Sequence, residues 1–240
     1  MKYSLLVLAL LLGLGSHSAQ AQRKTKVKVK SGAPAPDKAS RLLPLFGGLS
    51  AAEAESALGT AFLDNVARSF ASRTEASAFF ARKGYEYLSE NQPDTALYRF
   101  NLAWLLDQKN PDVYRGLGII SSRQPTPDES IGLLAQGLAL APTSVAIMSD
   151  LGASYLIRYE QTKKKKDLDQ GMTLLTKATA ADPGNANAWQ QLARGYFFRE
   201  QYPQAWEAVH KGQNLNMASI DFEFISELQA RLPDPQGMFK

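Results

Sequence analysis

A chain of 240 residues with 45% apolar and 21% charged side chains carries too much hydrophobic content to stay disordered. It has no cysteine and only two histidines, His17 and His210, which excludes disulfide frameworks, thiolate and histidine metal clusters, thiol nucleophiles and most Ser-His machinery. The formal charge is +4, yet residues 23–41 alone carry +6 and Lys2 another +1, so residues 42–240 hold −3. The basic character belongs to a tail. An acidic body is a poor match for nucleic acid.

The chain opens with an address. Lys2 is a short positive region, Leu5 to Leu14 is an apolar run, and Ala19-Gln20-Ala21 is a small-x-small cleavage site. This layout predicts a signal peptide over 1–21, cut after Ala21, and a periplasmic or secreted protein that begins at Gln22. The alternative is an uncleaved anchor, although the apolar run is about half the roughly 20 residues that a spanning helix needs. No later segment reaches a transmembrane length. Residues 22–41 form a basic Pro/Ala linker, with alternating Lys24, Lys26, Lys28 and Lys30 ahead of Ala33-Pro34-Ala35-Pro36. It is either a solubilising spacer or a tether attracted to an anionic envelope surface, at up to about 1 kcal/mol per cation near anionic lipid.

Residues 42–76 predict an N-terminal capping region. Phe46-Gly47-Gly48 marks a turn, and Ser50-x-x-Glu53 is a capping box. Leu58, Phe62, Val66 and Phe70 follow at successive steps of four, which predicts one helical face running to Ser72. No sustained two-residue alternation occurs outside the short tail, so the body reads as all-α.

Internal repetition dominates residues 77–219. Gly84, Gly118, Gly152 and Ala193 recur at intervals of 34, 34 and 41 residues, as do Phe80, Tyr114, Met148 and Trp189. Ala96, Ser130, Gly171 and Ala205 recur at 34, 41 and 34, in step with Phe100, Leu134, Leu175 and Val209 and with Ala103, Gly137, Ala178 and Gly212. The columns define units 77–110, 111–144, 145–185 and 186–219, with one seven-residue insertion between Tyr155 and Gly171. Each unit is a helix hairpin that must stack on its neighbours to bury its apolar face. Small residues let its two helices approach, and aromatics fill the gaps between units. Residues 220–240 predict a C-terminal capping helix over Asp221–Leu232, packed by Phe222, Ile225 and Leu228 and stopped by Pro233-Asp234-Pro235.

Trp189-x2-Leu192-Ala193-x2-Tyr196 with Ala205, and Met148-x2-Leu151-Gly152-x2-Tyr155 with Pro183, resemble the tetratricopeptide repeat (TPR) signature. The other units match in part: Ser121 and Lys83 depart from its usual Tyr and Leu, and Gln108 and Met217 from its closing Pro. With Arg99-Phe100-Asn101-Leu102-Ala103-Trp104, the chain also resembles exported bacterial proteins built from such repeats. The resemblance implies an all-α fold, an α-solenoid of about four TPR helix hairpins with N- and C-terminal capping helices. It further implies that the first helices line a concave groove. The places that usually face a ligand hold Ala78, Ala81, Tyr85, Leu88 and Ser89 in the first unit, and Asp112, Arg115, Ile119, Ser122 and Arg123 in the second. The third offers Ala146, Ser149, Ala153, Leu156 and Ile157, and the fourth Asn187, Gln190, Arg194, Phe197 and Phe198. Three arginines sharing one groove would favour an acidic or C-terminal peptide, with Tyr85, Phe197 and Phe198 in apolar contact. The lysine and asparagine of the family's carboxylate clamp are replaced by Ala81 and Tyr85.

No catalytic residue, cofactor or metal is predicted. Gly116-Leu117-Gly118-Ile119-Ile120-Ser121 falls one residue short of a dinucleotide fingerprint and follows no strand. His210, between Val209 and Lys211, reads as a packed or surface histidine. The insertion carries Lys163 to Lys166, either a solvated extension or a docking patch. The function that follows is a non-catalytic protein–protein interaction scaffold of the bacterial envelope; the alternative is a structural tether held by its basic tail.

Overall fold

Six of the helices start at residues whose side chains satisfy otherwise unpaired first-turn N–H groups. The Oγ of Ser50, Ser72 and Ser144 accepts from Glu53, Glu75 and Ile147, and the side-chain oxygens of Asn110, Asn185 and Asp221 accept from Asp112, Ala188 and Phe224. Prolines at the starts of other helices spare a donor that would go unpaired. The computed structural model describes residues 40–125 and 127–239; the leader, its cleavage site after Ala21 and the basic segment through residue 39 lie outside the described residues.

Among the described residues every regular element is a helix. In chain order these are α1 (Leu45–Gly48), α2 (Ala51–Leu58), α3 (Thr60–Ala67), α4 (Arg73–Ser89), α5 (Pro93–Leu106), α6 (Pro111–Ser121) and α7 (Asp128–Leu140). They continue with α8 (Val145–Thr162), α9 (Lys165–Ala181), α10 (Ala186–Phe198), α11 (Tyr202–Leu215) and α12 (Phe222–Gln229). The pairs α4–α5, α6–α7, α8–α9 and α10–α11 are the four hairpins, each packed on the next. None of the described helices is long and apolar enough to cross a membrane.

The glycine column sets the closeness of each hairpin. A Cβ at Gly84 would lie 2.7 Å from the Phe100 ring, one at Gly118 2.6 Å from Leu134, and one at Gly152 2.7 Å from Leu175. The same pairing of a bare backbone with a large buried side chain thus recurs across three units. The insertion lengthens both helices of the third hairpin: α8 has 18 residues and α9 17, against 13 and 14 in the fourth. Five extra residues extend α8 by about 7.5 Å. Lys163, with φ 54°, makes the tight turn at the tip.

The N-terminal cap differs from the expected continuous helix. Gly59 has φ 93° and separates α2 from α3, so the four-residue stripe is broken after Leu58. Leu63 is then fully buried, whereas Phe62 is 42% exposed. Ahead of α2 the chain forms a strap across α5. Asn101, buried in the first hairpin, donates from Nδ2 to the carbonyls of Arg41 (3.1 Å) and Leu43 (2.8 Å) and accepts at Oδ1 from the Leu45 N–H (2.9 Å). These bonds hold a left-handed turn in which Leu45 and Phe46 have φ of 50° and 55°, a conformation costing about 1–2 kcal/mol per residue. Burial of Phe46 beside Trp104 offsets that cost.

At the other end α12 packs by Phe224, Ile225 and Leu228, while Phe222, expected in this interface, is 68% exposed. Its N-cap Asp221 lies 27 residues after Arg194, the spacing between Tyr85 and Asp112, so α12 occupies the place of a fifth first helix. The chain then folds back over α11. Phe239 stacks on Trp206 and His210, and the Trp206 Nε1–H donates to the Leu232 carbonyl. His210 Nε2 sits 2.9 Å from Asp234 Oδ1, both side chains being buried. Asp234 also accepts backbone N–H bonds from Gln236, Met238 and Phe239. Burial would raise its carboxyl pKa, but the Phe239 and Gln236 N–H groups, His210 and the Met238 N–H outweigh that and hold it below the usual range.

Candidate functional site

The first helices of the hairpins carry side chains that tie one unit to the next. The Tyr85 hydroxyl donates to the Asp112 carbonyl at 2.9 Å, and its ring meets Phe100 edge-on at 5.0 Å. The Arg115 guanidinium lies 5.5 Å over the Tyr85 ring, and its Nε donates to Asp150 Oδ2 at 2.7 Å. Burial pushes the Tyr85 phenol well above its ordinary value, with Arg115 opposing, and it pushes the Asp150 carboxyl up, which Arg115 only partly offsets. Burial works against the Arg115 charge, but Asp150 and Tyr85 prevail and raise its pKa.

The fourth unit repeats this arrangement with the cap. Arg194 donates to Asp221 Oδ2 at 2.6 Å and lies 4.9 Å over the Phe224 ring. The three arginines therefore do not form the shared open patch that their spacing suggests. Arg115 and Arg194 are neutralised within the fold, Arg115 by Asp150 of α8, the next first helix, and Arg194 by Asp221, the N-cap of α12. Arg123 lies beyond the end of α6, exposed and without an ion-pair partner among the described residues.

Three further groove residues are drawn into packing. Gln190 is only 7% exposed, and its amide lies over Gly212, where a Cβ would sit 2.8 Å from Nε2. It is a filler between α10 and α11, and its amide atoms have no hydrogen-bond partner. Phe197 packs against Phe224 and Tyr202 beneath α12. Phe198 leans on Tyr159, a residue of the lengthened α8, with Lys163 6.0 Å from its ring.

What the structure does bring together is a cleft of about 270 Å3 across α6, α8 and α10. Ile119, Ala153 and Ile157 supply its apolar wall, and Ser122, Asn187 and Gln191 its polar groups. Asp150 lines it as well, with its charge already met by Arg115. Asp150 and Gln191 were not foreseen. The signal for Asp150 is the 35-residue step from Arg115, one unit plus one place, which pairs opposite charges across adjacent first helices. Such a cleft suits an extended segment with a small apolar side chain, its main chain reached by the Asn187 and Gln191 amides. Among the described residues no three of His, Cys, Asp and Glu converge as a metal site would require.

No protein-family model matches the sequence, and no curated protein matches it. Solved structures do share its architecture. TTC0263, a thermophilic TPR protein of Thermus thermophilus, superposes with a TM-score of 0.54 at 16% identity, over 67% of this chain and 93% of that one. PilF of Pseudomonas aeruginosa gives 0.52 at 19% identity over 70% and 79%, and MamA from residue 41 onward, of Desulfovibrio magneticus RS-1, gives 0.50 at 18% over 67% and 87%. At such identities the likeness is one of architecture and not of activity. With the glycine columns and the four stacked hairpins, it shows that this chain has the tetratricopeptide-repeat fold.

Proposed function

We propose that this protein is a non-catalytic interaction scaffold whose concave groove receives an extended segment of a protein partner. The observation that carries this reading is the cleft in which Ile119, Ala153 and Ile157 from two successive units face the Asn187 and Gln191 amides of a third. An apolar wall opposed by a few placed hydrogen-bonding groups is the usual composition of a ligand cleft. With Arg115 and Arg194 engaged, Arg123 is the remaining candidate for an acidic side chain or a chain terminus of the partner. The leader layout supports action in the bacterial envelope or outside the cell. The test is capture from envelope extract with the mature chain as bait, then titration of the recovered partner. Ile119→Asp/Ile157→Asp should weaken binding at least tenfold with folding unchanged; unchanged affinity overturns the groove assignment.

A second reading, a structural tether, is favoured by one observation: residues 23–41 carry +6 ahead of a body of −3. Deleting 23–41 and fractionating the envelope separates the two. Lost surface retention with partner binding intact supports the tether, and unchanged retention removes it.

A further inference from the structure

α8 has a second working face. Ala153 and Ile157 border the concave groove, whereas Leu151 and Tyr155, each two residues earlier, point about 200° away around the helix. They floor a separate cleft of about 610 Å3, completed by Lys166, Asp169, Gln170, Thr173 and Leu174 of α9. Past Tyr155 and Gln170 it continues into a recess of about 510 Å3, which Asp128 at the start of α7 and Lys164 at the hairpin tip enclose. The seven-residue insertion builds this place, because it carries α8 and α9 beyond the shorter hairpin before them.

The charges here are unequally satisfied. Arg158 donates to Asp167 at 2.7 and 3.1 Å and to Asp128 at 2.7 Å, and Arg199 donates to Asp169 at 2.6 Å. The carboxylates of the cleft are therefore engaged. Lys164 and Lys166 have no ion-pair partner among the described residues. An apolar floor with two unmatched cations at its rim asks for an apolar side chain flanked by carboxylates.

The molecule itself presents one. On α12 Phe222 is 68% exposed, in the first turn at the edge of the face that buries Phe224, Ile225 and Leu228. Glu223 and Glu227, one turn apart, are exposed beside it and have no ion-pair partner among the described residues. Met217, just before this helix, is 71% exposed. Because its other face is fixed on α11, α12 is not available to its own cleft. The basic segment 23–41 carries the wrong sign for it.

We propose that α12 of one copy docks in the α8–α9 cleft of a second copy, Phe222 entering between Leu151, Tyr155 and Leu174, and Glu223 and Glu227 meeting Lys164 and Lys166. The two surfaces differ, so the contact is head-to-tail and propagates into a ring or an open chain. Exposed charges at its edge make it salt-sensitive.

Sedimentation velocity of the protein purified from its native host tests this. The expected result is a mass that rises with concentration at low salt and falls towards the monomer at high salt. Phe222→Glu, Lys164→Glu/Lys166→Glu and Glu223→Lys/Glu227→Lys should each weaken assembly at least tenfold with unchanged thermal melting. Mixing the last two variants should restore it, since each cleft then faces an α12 of opposite charge. A wild type that stays monomeric, or assemblies that these reversals leave intact, would overturn the proposal.

Discussion

The ring of Phe100 fills the space that a side chain on Gly116 would need. Phe100 belongs to the first hairpin and Gly116 to the second, so this contact joins two units, while Gly84 meets the same ring within its own unit. Phe100 has no exposed surface and no direction in which to yield. Gly116→Ala would ordinarily gain about 1 kcal/mol of helix propensity. Here overpacking, typically about 1–3 kcal/mol, should exceed that and leave a net loss. Gly132 in α7 faces open space, so Gly132→Ala should stabilise by about 0.5–1 kcal/mol. Urea midpoints of the two variants should move in opposite directions.

Replacing Asn101 by Leu keeps the side-chain volume but removes all three bonds to the strap. Stranding groups of this kind costs about 1–3 kcal/mol each where they are buried. The loss should be concentrated in residues 40–49, with the hairpins intact. Limited trypsin digestion reads it out as faster cleavage after Arg41, in a protein whose far-ultraviolet circular dichroism is unchanged.

Acid should loosen the C-terminal fold-back through Asp234. Its folded-state pKa lies below the ordinary value of 3.8. A depressed carboxyl contributes stability that is fully present above the unfolded-state value and is lost as pH falls through the folded-state one. The contribution should therefore persist down to about pH 4 and disappear below it. In Asp234→Asn the midpoint at neutral pH should fall, and the decline between the mildly and strongly acidic range should flatten. Urea melts from neutral into strongly acidic buffer measure both.

Arg115 and Asp150 should behave as a coupled pair. Their side chains are 29% and 17% exposed, so solvent screens them in part, and removing one partner should cost about 1–3 kcal/mol, less than for a fully buried pair. Arg115→Ala and Asp150→Ala should each lose more than half of what the double variant loses, because the second removal relieves the stranded charge. Additive losses in the double-mutant cycle would show that the two charges act independently.

Export is tested by the mass of the native protein. A chain beginning at Gln22 is the expected product; one retaining Met1 contradicts cleavage after Ala21.

The repeat units were legible in the sequence because close helix packing leaves a record at fixed intervals. A Cβ at Gly84, Gly118 or Gly152 would press on Phe100, Leu134 or Leu175, so the column is held to glycine there and to alanine in the fourth unit. The break at Gly59 was not legible. A lone glycine in a four-residue stripe is compatible with a helix, and only its φ of 93° reveals the corner that puts Leu63 inside in place of Phe62. The same ambiguity of one or two places gave α12 a buried Phe224 where Phe222 was expected. The groove was read least completely. Its lining positions follow from helical phase, and Ile119 and Asn187 line the cleft. The engagement of Arg115 and Arg194 depends on carboxylates 35 and 27 residues away, which only the stacking angle brings within hydrogen-bonding distance.

The strap over α5 defines how the molecule takes a mechanical load. A pull applied at Ser40 reaches the backbone at Arg41 and Leu43 first, where Asn101 passes it directly to the first hairpin. α2 and α3 stay slack until those bonds yield. Release of the left-handed turn at Leu45–Gly48 would then have to draw Phe46 away from Trp104 of the first hairpin. Under tension the three Asn101 bonds would then bear the load that reaches this end of the described chain.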